Sequence, residues 1–176
     1  MARALEAADQ AQERRDHQGL VEALRASLDA CEADPEVPVA IKRQLMVQLS
    51  KTLQGELPPG AEAEADESAL LEGLRWADAA LELKDVDEPE AHFARIRALK
   101  SLGRHKQALK TIINLTGLSQ TWAEASGEQS YDVEKRIVSE SLEVLTLGRA
   151  MDRRDQILYR LASLNPRIER VLGPET

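Results

Sequence analysis

The fold is decided by residues 89–109, which read PEAHFARIRALKSLGRHKQAL. Apolar side chains occupy every third position of the first half, the spacing of one helix face: Phe93, Ile96, Leu99 and Leu102. Pro89 suits the first turn of this helix, and Gly103 suits the turn that ends it. Ala108 is small enough to let a neighbouring helix approach closely. The stretch therefore predicts two antiparallel helices joined by a short turn.

The same helical periodicity extends along the chain on both sides of this hairpin. A polar run at residues 13–18 predicts a turn between the first two helices. Pro38 and Ser68 are predicted to begin the third and fourth helices, because proline suits a first turn and serine caps helix N-termini. Gly117 is predicted to end the sixth helix. Two more helices and a short tail helix follow, with these apolar positions: Val133, Ile137, Leu142, Leu145, Ile157, Leu158, Leu161 and Leu164.

The composition favours an all-α protein. Hydrophobic residues make up 43% of the 176 residues and charged residues 31%, whereas aromatic residues make up only 3%. A β-sandwich or barrel needs more β-branched and aromatic residues, while the abundant Ala, Leu and Glu lose little entropy in helices. The formal charge of −8 disfavours nucleic-acid binding, because phosphate-binding proteins usually carry the opposite sign.

Several kinds of site have no signal in the sequence. Cys31 is the single cysteine, which excludes a disulfide framework and a multi-cysteine metal site and predicts a buried thiol. No glycine-rich phosphate loop, nucleophile elbow or helical zinc motif is present, so we expect neither catalysis nor a cofactor. No apolar run approaches the length of a membrane span. The N-terminus turns acidic at Glu6, unlike a signal or transit peptide, so we expect a cytoplasmic location.

Residues 55–67 interrupt the helical pattern. They begin with glycine and prolines, which cannot continue a helix, and they go on as an acidic, low-complexity run. The segment is longer than a helix hairpin needs, so it predicts an acidic loop inserted between the third and fourth helices. Its carboxylates account for much of the net charge: Glu56, Glu62, Glu64, Asp66 and Glu67.

Residues 89–109 resemble a tetratricopeptide repeat, through the leucine and glycine before the turn, the Gly-Arg-His turn and the Ala-Leu pair after it. Residues 79–83 resemble the end of the second helix of a preceding repeat, and helix pairs recur at about 34 residues. The resemblance implies a right-handed superhelix of antiparallel helix hairpins. It places about three repeats in residues 1–117, with the insertion at 55–67, and a C-terminal pair of capping helices in residues 118–176 of the same domain.

The order of the units is similar to the tetratricopeptide domains of heat-shock-protein co-chaperones and immunophilins. Those domains hold a partner's C-terminal carboxylate with Lys, Asn and Arg side chains from the first, third and fifth helices. The matching positions here are Leu5, Asp9, Lys42 or Arg43, Glu90 and Ala94. Acidic residues at two of these positions would repel a carboxylate, so we expect this clamp to be absent.

A cationic strip is the candidate partner-binding feature of the sequence. Arg97, Lys100 and Arg104 stand at i, i+3 and i+7, which places them on one helix face. In the family's register this face lines a concave groove, and its ligand would be an acidic peptide or the chain's own acidic loop. The alternative is an ordinary solvated helix face. The complete set of predicted partner contacts is Lys42, Arg43, Phe93, Arg97, Lys100 and Arg104.

The resemblance implies a non-enzymatic module that binds a peptide or helical segment of a partner protein in a groove. A second hypothesis is a structural subunit of a larger assembly, which packs through its convex face or its C-terminal helices. Either hypothesis predicts a protein partner, no nucleic acid, and a chain that is a monomer or one subunit of a hetero-complex.

Overall fold

A computed structural model describes residues 10–11, 16–55, 65–83, 89–126 and 132–173. Every regular element in these residues is helical, as the sequence predicts, and consecutive helices pack as pairs. The α-helices are α1 (His17–Ala33), α2 (Val39–Leu53), α3 (Glu67–Glu82), α4 (Pro89–Ser101), α5 (His105–Ser126), α6 (Asp132–Leu147), α7 (Arg154–Leu164) and α8 (Arg167–Leu172), and a 3₁₀ turn (Met151–Arg153) precedes α7.

The helix starts follow the chemistry of the N-cap. Proline opens α2 and α4, because Pro38 is the N-cap of α2 and Pro89 is the first residue of α4. The predicted cap at Ser68 is wrong, since the Asp66 carboxylate accepts the amide hydrogen of Ala69 at 2.8 Å. Asp66 is the better cap because a carboxylate also interacts favourably with the positive end of the helix dipole.

The prediction that a helix ends at Gly117 is also wrong. Helix α5 continues through this residue to Ser126. Gly103 does end α4, because its φ of 68° is the left-handed conformation and the Arg104 amide reaches back to the Leu99 carbonyl at 2.8 Å. A glycine inside a helix costs only about 1 kcal/mol, and the buried Leu115 and Ser119 on either side of Gly117 hold the helix in place.

The chain divides into two compact units, residues 1–98 and 99–176. The predicted boundary at residue 117 lies inside α5. In the first unit α2 packs against both α1 and α3, most extensively against α3. Its core is aliphatic and includes the thiol that the sequence predicts to be buried: Leu20, Leu24, Leu28, Cys31, Leu45, Leu49 and Leu53.

Helices α2 and α3 approach closely at Gly73. The Ser50 hydroxyl donates to the Gly73 carbonyl at 2.7 Å. A β-carbon at position 73 would lie 3.1 Å from the Ser50 carbonyl oxygen, so a larger residue would push the two helices apart. Ala77 and Ala80 continue this small-residue line and are fully buried.

The second unit is built on the pair α5 and α6. Helix α7 packs against both, and α8 packs against α6 and α7. Asn165 joins these parts, since its side-chain amide donates to the Ser119 hydroxyl at 2.9 Å and its oxygen accepts the Arg167 amide hydrogen at 3.0 Å. The core of this unit includes Ile112, Leu115, Ile137, Leu145, Leu161 and Ile168.

An ion pair between α1 and α3 makes the stability of the first unit depend on pH. Both carboxylate oxygens of Glu72 lie 2.7 Å from Nη2 of Arg25, and Trp76 Nε1 donates to one of them at 3.3 Å. Burial raises the pKa of Glu72, but these hydrogen bonds and the arginine charges outweigh it, so the pKa lies below its ordinary 4.5.

A depressed pKa in the folded state contributes stability above the unfolded pKa, and this contribution disappears as the pH falls through the folded value. We expect Glu72→Gln to lower the free energy of unfolding by less than about 1 kcal/mol at neutral pH, because the pair is exposed. The difference from the wild type should decrease as the pH falls below the ordinary pKa of 4.5. Urea titrations at about pH 7 and about pH 3 measure it, and an equal difference at both would contradict the assignment.

Candidate interaction surface

Arg43 lies inside the first unit. Its side chain is 2% exposed. The guanidinium donates from Nε to the Ala80 carbonyl at 3.3 Å and from Nη2 to the Leu83 carbonyl. These are carbonyls at the C-terminal end of α3, which no helical amide reaches. In this position Arg43 caps α3.

Lys100 lies in the second unit and is engaged by two carboxylates. Its Nζ is 2.6 Å from Glu140 Oε2 and 2.7 Å from Glu143 Oε2, and its side chain is 10% exposed. The two ion pairs tie the last turn of α4 to α6. Phe93, the predicted apolar contact, is buried.

The other predicted contacts are more accessible. Lys42 and Arg97 are half-buried residues of the first unit, and Arg104 is an exposed residue of the second. Whether they form one cationic strip stays a prediction. Among the clamp positions, Glu90 pairs with Lys51 at 2.6 Å and Ala94 is buried. Leu5, Asp9 and residues 56–64 of the predicted acidic loop lie outside the described residues.

Lys100→Met should lower the free energy of unfolding by about 1–2 kcal/mol, because Glu140 and Glu143 would then face each other without the cation between them. Urea denaturation followed by circular dichroism measures the change. Lys106→Met, at an exposed position of α5, is the matched control and should stay within about 0.5 kcal/mol of the wild type. Equal effects of the two substitutions would show that the two ion pairs are not stabilising.

A corner between α6 and α7 is the most exposed part of the second unit. Residues 147–156 are all exposed except the half-buried Ala150. Backbone hydrogen bonds fix the corner, from the Gly148 amide to the Val144 carbonyl at 2.9 Å and from the Ala150 amide to the Leu145 carbonyl at 2.8 Å. Arg149 between them has a φ of 51°, which is unusual for a residue other than glycine.

Large apolar side chains are exposed at this corner and on the adjoining part of α7. Leu147 is 50% exposed, Met151 44% and Tyr159 78%. Tyr159 points away from the core because its helix, α7, buries the opposite face through Ile157, Leu158, Leu161 and Ala162. Only one more exposed large apolar residue occurs in the described part of the chain, Leu172 at the end of α8.

Four arginines lie close to these apolar residues in the sequence. Arg149, Arg153, Arg154 and Arg160 are all exposed. Two acidic residues, Asp152 and Asp155, lie among them. We define the corner face by its apolar and cationic side chains: Leu147, Arg149, Met151, Arg153, Arg154, Tyr159 and Arg160.

The two units differ in charge. Residues 1–98 contain eleven basic and twenty-one acidic residues, a formal charge of −10. Residues 99–176 contain twelve basic and ten acidic residues, a formal charge of +2. The corner face therefore belongs to the cationic part of an acidic chain. The apolar spacing from Ile157 to Leu164 places Tyr159 away from the buried face of α7. From the sequence alone, this spacing could have predicted that Tyr159 is exposed.

Comparison with protein-family models, curated proteins and solved structures finds no match to the chain. The resemblance to the tetratricopeptide repeat is therefore a sequence-based prediction. Within the described ranges, no group of three or more His, Cys, Asp or Glu side chains is placed to hold a metal ion. None of the helices that the structure describes combines the length and the apolar character needed to cross a membrane.

Proposed function

We propose that the chain is a non-enzymatic protein-interaction module that binds a partner protein through the corner face. The single observation that carries the proposal is the exposure of Leu147, Met151 and Tyr159 in a stretch of sequence that also exposes four arginines. Tyrosine, methionine and arginine are the residue types enriched where proteins bind one another. Removing such apolar side chains from water in an interface favours association.

The corner is suited to binding because it is held by the fold. Tyr159 stands in the middle of a packed helix, and the backbone around Arg149 is fixed by hydrogen bonds. A surface that is ordered before binding loses little conformational entropy in the complex. This favours a docking surface over an exposed apolar patch without a role.

The corner face corresponds to the second hypothesis from the sequence, an assembly contact through the C-terminal helices. It is favoured over the groove because the groove prediction relies on Arg43, Phe93 and Lys100. The first two are buried, and the third is held by two carboxylates. We retain the helical repeat as the proposed scaffold, with its right-handed superhelix as part of the proposal.

Affinity purification from the native source tests the function. The baits are the full chain, the double variant Met151→Ser with Tyr159→Ser, and Leu172→Ser as the matched control. Leu172 is also an exposed large apolar residue, but it lies outside the corner face. We expect at least one protein to be retained by the wild type and the control and to be reduced about tenfold or more by the double variant.

Circular dichroism must show equal helicity in all the baits. The proposal is wrong if every bait retains the same proteins equally, or if no protein exceeds the empty resin. If the partner is lost only with Lys42→Glu or Arg104→Glu, the partner binds the predicted groove and not the corner face.

A further inference from the structure

We infer that the corner face selects an acidic, amphipathic segment of a different protein. Such a segment would present leucine-like or aromatic side chains beside several carboxylates. The inference rests on the proposed function and names the chemistry of the partner. It follows from the residues of the corner face and from their charge.

The charge of the corner face favours carboxylates. Its four arginines exceed the two neighbouring acidic residues, and Arg154 and Asp155 make only a long, solvent-exposed contact of 3.6 Å. A guanidinium presents a planar fork of donors that matches the two oxygens of a carboxylate. Arg153 and Arg154 therefore provide donors that their own neighbours do not satisfy well.

A partner with charge alone would not bury the apolar side chains of the corner face. Leu147, Met151 and Tyr159 would stay in water if the partner offered only carboxylates or phosphates. A segment with apolar and acidic side chains close together would cover both halves of the surface.

A second copy of the chain does not fit this description. In a two-fold symmetric dimer the corner face would meet itself, which brings its arginines together. In a head-to-tail contact it would meet residues 1–98, which carry the necessary acidic charge but no exposed large apolar residue in their described part. Within the part of the chain that the structure describes, residues 1–98 therefore offer only half of the chemistry that the corner face requires, and the inference assigns the segment to a different protein.

A nucleic acid fits less well than a protein. Its phosphates would pair with the arginines but would leave the apolar side chains of Leu147 and Met151 uncovered. The formal charge of −10 on residues 1–98 would also repel it at low salt.

Selection from a peptide library tests the inference. The probe is a random library of peptides about twelve residues long, enough for about three helical turns, and the immobilised protein is the full chain. We expect the enriched peptides to carry a net negative charge and at least one leucine, methionine or aromatic residue. Their binding should weaken as salt is added, because exposed ion pairs are screened.

The matched variants have the same change in charge. Arg153→Glu with Arg154→Glu reverses two charges on the corner face, and Lys106→Glu with Lys110→Glu reverses two on the exposed side of α5. We expect the first pair to reduce binding of the enriched peptides about tenfold or more and the second pair to leave it within about twofold.

Neutral or basic enriched peptides, no enrichment over the resin, or equal effects of the two variant pairs would overturn the inference. Two further measurements test the two alternative ligands of the corner face, a second copy of the chain and a nucleic acid. Sedimentation that detects self-association abolished by Arg153→Glu with Arg154→Glu would assign the face to a second copy. Binding of a labelled single-stranded oligonucleotide with the same sensitivity would assign it to nucleic acid.

Failure of the inference is separable from failure of the proposed function. A native partner that is lost with Met151→Ser and Tyr159→Ser keeps the docking surface, even if the library returns peptides that are not acidic. The absence of any such partner removes the docking surface itself.

Discussion

Arg43→Met should lower the free energy of unfolding by about 3 kcal/mol, because the carbonyls of Ala80 and Leu83 would lose their donor. A buried acceptor without a partner costs about 1–3 kcal/mol. The favourable interaction between a cation and the negative end of α3 would be lost as well. Methionine has a similar volume and keeps the apolar packing, so the substitution isolates the capping interaction.

Urea denaturation at neutral pH measures this effect. Lys42→Met is the matched control at the neighbouring, half-buried position, and it should change the free energy of unfolding by less than about 1 kcal/mol. Arg43→Lys should recover part of the loss, since one ammonium group replaces a fork of donors. A value for Arg43→Met within about 0.5 kcal/mol of the wild type would show that Arg43 does not cap α3.

Arg167→Ala should have a comparable effect on the second unit, about 3 kcal/mol, because it leaves a buried carboxylate without its cation. Glu134 is 2% exposed, and its Oε1 lies 3.3 Å from Arg167 Nε. The other oxygen, Oε2, has no hydrogen-bond partner within the part of the chain that the structure describes. Arg167 is therefore needed to offset the cost of burying this charge.

The double variant Arg167→Ala with Glu134→Leu tests the cause. Replacing a buried ion pair with apolar residues is often neutral or stabilising, so the double variant should be more stable than Arg167→Ala alone. Lys135→Ala, at an exposed position beside Glu134, should change the stability by less than about 0.5 kcal/mol. If the double variant is no more stable than the single one, the cost comes from lost packing at α8.

The sequence predicted the helices well because their faces are set by local apolar spacing. Phe93 and Ile96, and Ile157 and Leu161, are buried where the periodicity placed them. Helix ends were predicted less well. Ser68 and Asp66 are both good caps, and only the path of the chain before α3 decides between them. Glycine is a residue type that often ends a helix, but Gly117 does not adopt the left-handed backbone conformation, and the helix continues through it.

The candidate site was less predictable than the fold, because charged residues have no periodic signal for burial. Arg43 and Lys100 are of types that are mostly exposed, so the sequence placed them on a binding surface. Their real surroundings depend on the end of α3 and on the carboxylates of α6, which lie far away in sequence. The exposure of Tyr159 was predictable, because other residues of α7 already form its apolar face.

The backbone of Arg149 has a consequence for engineering this protein. A left-handed arginine is strained by about 1 kcal/mol or more relative to glycine, so mutagenesis that selects for heat resistance alone would favour Arg149→Gly. The same change would remove one of the guanidinium groups through which we propose that a partner is recognised. At position 149, glycine would therefore favour thermal stability, whereas arginine would favour binding of the proposed partner.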